Sequence, residues 1–330
     1  VQRISTKIRG PGMLTLTQIN EAGERLAPYI YQTPLLRMSN LDAWLGCRVY
    51  IKAECMQKTN SFKIRGALNK MLSLPREALI QGVVAASSGN HGKGVAFAAA
   101  LLGVPATVVL PDTAPRVKVE GIRKLGARVV SCRLGERHRI AGALSADQGS
   151  ALIHPYDDEA VMAGQGTAGA EIMAQLPEAD AVVAPVGGGG LISGVSTAVK
   201  GLSGKARVIG VEPELLRRYA RSIEAGEPVA LAEQASVADA VLTLEPGHKT
   251  FPIARANVDR FVGVSDEYIL KGQKLLLTEG KVLAEPSSAM VVGAVLQGAI
   301  RFDPNDQVCF LISGGNTGLE QIGILKEISL

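Results

Sequence analysis

The sequence predicts an α/β protein made of two parallel sheets with helices on both faces. Three observations predict it. Seven short Val-rich runs recur along the 330 residues, and each is continuous rather than alternating, as in strands buried on both faces. Helix-length segments separate them, and this βαβα rhythm fits a parallel sheet flanked by helices. Hydrophobic residues make up 47% of the chain and aromatics only 4%, so Ala, Val, Leu and Gly must fill a core of closely apposed helices and strands.

In chain order the predicted strands are "RVYIKAE", "GVVAAS", "ATVVLP", "ARVVSC", "AVVAPV", "RVIGVEP" and "QVCFLIS". Between them, "NHGKGVAFAAALLG" is apolar on nearly every face and stops at Gly103, a predicted helix C-cap. "TAPRVKVEGIRKLGA" spaces Val117, Ile122 and Leu125 among charges, which predicts a surface helix. Two runs of the rhythm stand out, at 80–155 and 180–330. The expected organisation is a large domain from residues 1–68 and 158–330 and a small domain at 69–157.

The formal net charge of +4 is small and scattered, with no run of five basic residues, so a nucleic-acid partner is not expected. No stretch of ~18 apolar residues appears and the first residues have no signal-like apolar run. No membrane span is expected, and the cytoplasm is the expected location. Cys47, Cys55, Cys132 and Cys309 have neither metal-ligand nor disulfide-framework spacing and are expected to be reduced thiols. No appended regulatory domain is expected after "SGGNTGLEQIGILKEISL".

The chemistry concentrates where strands run into helices. In "APVGGGGLISGVSTAVKG", a strand enters four glycines, Gly187, Gly188, Gly189 and Gly190. Glycines let N–H groups converge without Cβ obstruction, and the helix start adds positive dipole. A tight strand–helix turn would need only one or two glycines, so this is read as a phosphate cradle. It is neither a Walker loop nor a dinucleotide fingerprint. In "ASSGNHGKGVA", Ser87, Ser88, Gly89, Asn90 and His91 form a turn suited to a carboxylate, or simply a helix cap. His91 is read as packed or supporting rather than as a catalytic base. "FLISGGNTG" ends a third strand at Ser313, at the edge where open α/β sheets bind ligands. Lys63, beside Phe62 in "MQKTNSFKIRGALNK", would be partly desolvated if it faced such a cleft. Its pKa would then fall, and a neutral amine can bind an aldehyde. A phosphate-bearing aldehyde cofactor, pyridoxal 5'-phosphate, satisfies both features.

The pieces "TPLLRMSNL", "SFKIRGALN", "SSGNHGKGVAFAA", "HPYDDEAVMAGQGTAGAEI", "PVGGGGLISG", "VIGVEPE" and "SGGN" stand in the order found in fold type II (β-family, tryptophan synthase β-like) pyridoxal-phosphate enzymes. The chain resembles their threonine/serine dehydratase and serine racemase branch. The resemblance implies that Lys63 binds the cofactor aldehyde and later moves the substrate α-proton. It implies that Phe62 packs near the cofactor, that Asn90 bonds its phenolic oxygen and that Gly187 to Gly190 hold its phosphate. Ser313 would face the pyridine nitrogen. Ser87 to His91 would hold the substrate carboxylate, mostly through backbone N–H groups, and Ser88 matches the opposite-face acid/base of the racemase. A neutral Ser313 does not keep the ring nitrogen protonated, which favours β-elimination over transamination. The expected activity is dehydration and deamination of a β-hydroxy amino acid such as threonine, serine, 3-hydroxyaspartate or phenylserine to a 2-oxo acid and ammonia. An amino-acid racemase, and a non-catalytic amino-acid-binding protein, are the alternatives. The resemblance also implies a homodimer.

Some positions depart from that pattern. Relatives with a divalent-cation site carry acidic residues just after "GVEP", whereas this chain continues "ELLRRYARS" after Glu212, so no metal is expected. Arg217, Arg218 and Arg221 are read as a solvated helix face, or else as an attraction for an acidic substrate. Ala240 replaces a common glycine, and the final loop is "SGGNTG" rather than "SGGNVD". Glu285 lies near the cofactor in relatives, or serves only as an acid at a helix start. Tyr156 and the Arg137/His138/Arg139 cluster are placed near the mouth of the cleft.

Overall fold

The computed structural model describes residues 13–87, 89–133 and 135–330. Residues 1–12, over which no signal-like run was expected, lie outside it, as do Ser88 and Leu134. Among the described residues, ten strands form two sheets. They are β1 (Leu35–Arg37), β2 (Arg48–Ala53), β3 (Val83–Ala86), β4 (Ala106–Pro111), β5 (Arg128–Cys132), β6 (Ala151–Leu152), β7 (Ala181–Pro185), β8 (Arg207–Pro213), β9 (Arg260–Val264) and β10 (Gln307–Ile312). The larger sheet runs β1-β2-β10-β7-β8-β9 and the smaller β5-β4-β3-β6. Every pairing between these strands is parallel except β1 with β2.

All seven predicted strands are present. The three unpredicted ones sit at sheet edges, where the run of apolar residues is short or broken. β1 has three residues and β6 two. β9 alternates exposure, with Arg260 exposed and Val262 and Val264 buried. β5 corrects one expectation: it is an edge strand whose Val129 and Val130 are only half-buried, so its continuous run does not mean burial on both faces.

The two expected helices form, at Asn90–Leu102 and Arg116–Lys124. The first ends where Gly103 takes φ +67°, a left-handed geometry glycine adopts without strain. The second keeps Ile122 buried and Val117 exposed. Helices Glu159–Gln175 and Gly190–Leu202 pack most closely at Gly194, where any Cβ would overlap the Met162 carbonyl. That approach brings the glycine-rich helix start against the chain entering Glu159. Helix Lys63–Ser73 places Ile64, Ala67, Leu68 and Met71 in the same core as Val83, Ala85 and Val108 of the smaller sheet. It is unbroken across residues 68 and 69.

Candidate active site

The carboxyl ends of β3, β7 and β10 open onto one cavity, of about 790 Å³ of empty space counted to its open mouth. Lys63 reaches it because the loop before it pairs with the end of β10. The Phe62 N–H donates to the Ser313 carbonyl at 2.9 Å, the Gly315 N–H donates to Asn60 at 2.9 Å, and Ser61 bridges Gly314. Lys63 therefore begins its helix beside Ser313. Its amine donates to the Pro155 carbonyl at 2.8 Å and lies 5.1 Å from the centre of the Phe62 ring. Burial pulls its pKa down to about 8, while the Glu285 charge pulls the other way. A usable fraction of the amine is thus neutral near pH 7.

The four glycines leave β7 and enter helix Gly190–Leu202. The Gly188 carbonyl is turned away from the cavity by three donors: the Tyr219 hydroxyl at 3.1 Å, the Thr250 hydroxyl at 2.8 Å and the Gly247 N–H at 3.2 Å. The N–H groups of Gly187 to Leu191 have no hydrogen-bond partner among the described residues. Gly189 takes φ +98°, and a Cβ there would overlap the Tyr219 hydroxyl. A Cβ on Gly188 would come within 2.5 Å of the Tyr156 ring. Free N–H groups at a helix start, with a backbone no larger residue could follow, form an anion cradle.

The turn after β3 is held from within. The Ser87 hydroxyl accepts from the Gly89 and Gly92 N–H groups at 2.8 and 2.7 Å. Ser88 lies outside the described residues. The Asn90 amide donates to Glu285 at 2.5 Å and accepts from Asn316 at 2.9 Å. His91 is buried, with Nε2 2.8 Å from the Ile153 carbonyl. Burial first, then the Lys63 charge, drop its pKa to about 3, so it stays a neutral imidazole near pH 7, its one ring proton on Nε2 donated to that carbonyl. Ser313 exchanges a 2.9 Å hydrogen bond with Ser288, leaving a neutral hydroxyl pair at the end of β10.

Glu285 unites both readings made of it. It stands at the start of helix Pro286–Leu296 and also lines the cavity. Burial pushes its carboxyl up to about 7, against the pull of Lys118. Its Oε2 is buried with no hydrogen-bond partner among the described residues, 4.0 Å from the Lys118 amine. Ala240 lines the same wall, its N–H donating to Ser287 at 3.0 Å.

Tyr156, Arg137 and His138 do line the cavity, whereas Arg139 pairs with Glu136 outside it. Tyr156 is aimed by its neighbours. The His154 ring accepts from the Asp157 N–H at 2.8 Å and meets the Tyr156 ring edge-on at 4.7 Å. The solvated-face reading of the three arginines holds only for Arg221, which is exposed and paired with Glu224. Arg218 has no exposed surface, because its guanidinium finds enough oxygen acceptors inside to replace water. Sequence reasoning also passed over Thr243, Ser287 and Ser288. Ser288 was within reach, since "EPSSA" lies one helical turn from Glu285, but serines at a helix start usually cap.

This arrangement can accept an aldehyde and a phosphate together. A half-buried amine and a cradle of unpaired N–H groups face one cavity, and pyridoxal phosphate carries one group for each. The residues present fit it. That is the site of a pyridoxal-phosphate enzyme, and comparison with known proteins agrees. The model of the family described as "Pyridoxal-phosphate dependent enzyme" matches residues 26–314, and the chain belongs to that family. It is 41% identical to the L-threonine ammonia-lyase of Geobacter sulfurreducens, over 96% of this chain and 79% of that one. It is 38% identical to the serine racemase of Arabidopsis thaliana, over 92% and 93% of the two chains. Among solved structures, a T.th. threonine deaminase superposes with TM-score 0.87 and 46% identity, over 92% of this chain and 99% of that one.

Proposed function

We propose that this enzyme is a pyridoxal-phosphate-dependent ammonia-lyase that dehydrates and deaminates a β-hydroxy amino acid, threonine or serine first among them. The observation that carries the reading is the Lys63 amine, half-buried and with its pKa depressed to about 8, in the same cavity as the Gly187–Gly190 cradle. The likeness to threonine ammonia-lyases supports the substrate class.

Bound here, pyridoxal phosphate supplies an aldehyde for the substrate amine and an electron-withdrawing ring beside the substrate Cα. The chain does the rest. Gly187 to Gly190 would hold the phosphate on their N–H groups. Ser313, already paired with Ser288, would offer the ring nitrogen a neutral hydroxyl. Asn90 would face the phenolic oxygen, held in place by Glu285 and Asn316. The turn from Ser87 to His91 would bind the substrate carboxylate. Lys63 would serve as the base that takes the α-proton. Overall the substrate would lose its α-proton and its β-hydroxyl as one water, and the enamine product would take up water to give a 2-oxo acid and ammonia.

A racemase needs a second proton carrier on the opposite face, a role that falls to Ser88. The 38% identity to a serine racemase supports this as the second reading. The test is a panel of β-hydroxy amino acids, both diastereomers, with 2-oxo acid and ammonia measured beside the chirality of the remaining substrate. Stoichiometric oxo acid with unchanged chirality supports the lyase. Inversion faster than oxo-acid release overturns it in favour of the racemase. The same reading includes two domains, 1–68 with 158–330 and 69–157. Sheet membership supports this, with helix Lys63–Ser73 joining the two. It also includes a cytoplasmic homodimer, to be checked by sedimentation. Among the described residues no helix is long and apolar enough to cross a membrane.

A further inference from the structure

The segment after β8 holds a positive charge where none can reach water. Arg218 Nε and Nη2 donate to the Leu216 carbonyl at 3.0 and 2.6 Å. Nη1 donates to the Val241 carbonyl at 2.7 Å and the Thr243 hydroxyl at 3.3 Å. Nε also lies 3.7 Å from Glu212 Oε1, both side chains fully buried. Glu212 in turn accepts from the Tyr219 and Ala220 N–H groups at 2.9 and 3.1 Å. A carboxylate, two main-chain carbonyls and a hydroxyl around one positive centre make an oxygen set of the kind that binds a hard cation. Here the centre is the chain's own guanidinium.

Two of the residues it gathers also belong to the active cavity. Val241 and Thr243 line it, and both stand about 3.3–3.4 Å from where a Cβ on Gly187 would lie. The next residue, Tyr219, turns the Gly188 carbonyl out of the cradle. We propose that Arg218 is a tethered internal cation, a positioning residue that fixes the Val241–Thr243 wall against the glycine loop and takes the place of a divalent ion. A divalent-cation site of the kind found in relatives does not fit these residues. An incoming ion would have to displace the guanidinium, leaving it buried and unpaired, or sit beside a like charge. Arg217, which also acts on Glu212, adds to that repulsion.

The effect on turnover rests on the proposed lyase reading, but cation binding does not, so the test begins there. MgCl2 and CaCl2 are titrated calorimetrically into the wild type and Arg218→Asp, and thermal midpoints are recorded with and without each ion. The expected result is no binding by the wild type, oxo-acid formation unchanged by EDTA, and cation binding with a raised midpoint in Arg218→Asp. Arg218→Ala should bind pyridoxal phosphate roughly tenfold more weakly, with millimolar guanidinium restoring the affinity. Arg218→Lys should fall between the two. Stoichiometric ion binding by the wild type, or activity abolished by EDTA, overturns the proposal. So does a folded Arg218→Asp that binds neither ion. If that variant does not fold, Arg218→Lys decides: wild-type cofactor affinity in it overturns the positioning role.

Discussion

Lys63 is a half-buried amine that lines the cavity, so its removal should be felt in chemistry more than in folding. Lys63→Ala is expected to lower oxo-acid formation by at least about a thousandfold. Its far-UV spectrum should be unchanged, and the visible absorbance of the bound cofactor should shift. Glu285 makes a pH prediction for the cofactor-free protein. Its carboxyl titrates near 7 when folded, against an ordinary 4.5. The folded state therefore holds the extra proton between those values, and stability associated with it is lost as pH rises through 7. Glu285→Gln keeps the shape and cannot ionise. It should gain on the wild type from about pH 4.5 upward, by on the order of 1–3 kcal/mol at pH 8, as read from urea unfolding at several pH values. At this scale the sequence pointed to Lys63 and the glycines, which the fold brings to one cavity. It did not disclose Arg218, because an arginine in a charged run looks solvated until the carbonyls around it are in place.

At the scale of elements, what counts is how each strand hands its chain to a helix. Gly189 at φ +98° lets β7 turn directly into helix Gly190–Leu202 with its N–H groups forward. Gly189→Ala meets both a strained backbone and the Tyr219 hydroxyl. A conformational cost of about 1–3 kcal/mol should appear as roughly 10–100-fold weaker cofactor binding, checked by fluorescence titration with pyridoxal phosphate. The interior strands were legible because burial on both faces leaves a continuous Val-rich run. β1, β6 and β9 were not, since an edge strand needs little hydrophobic sequence and takes its conformation from the neighbour it pairs with.

For the whole molecule, the site depends on charges buried far behind it. Arg65, two residues after Lys63, pairs with Glu54 at 2.8 Å and Glu171 at 2.7 Å. Lys52 joins the same Glu171 at 2.6 Å. The cluster ties helix Lys63–Ser73 to the end of β2 and to helix Glu159–Gln175. Glu54 is fully buried, and Arg65 overcomes that burial to hold its carboxyl below the ordinary range. Arg65→Leu would strand that carboxylate, so a loss of about 3–5 kcal/mol is expected from urea unfolding of the cofactor-free protein. A smaller loss would mean that Lys52 takes over the pairing.

By itself the sequence determined the local events: strand runs, helix stops, the glycine turn and a lysine at a helix start. Each depends on neighbours within a few residues, so each can be read along the chain. The tertiary structure alone decided which of these events share a cavity, that Glu285 reaches Asn90 across 195 residues, and that Arg218 is enclosed by main-chain oxygens. Burial and electrostatics depend on distances in space, and only the packed sheets set those distances.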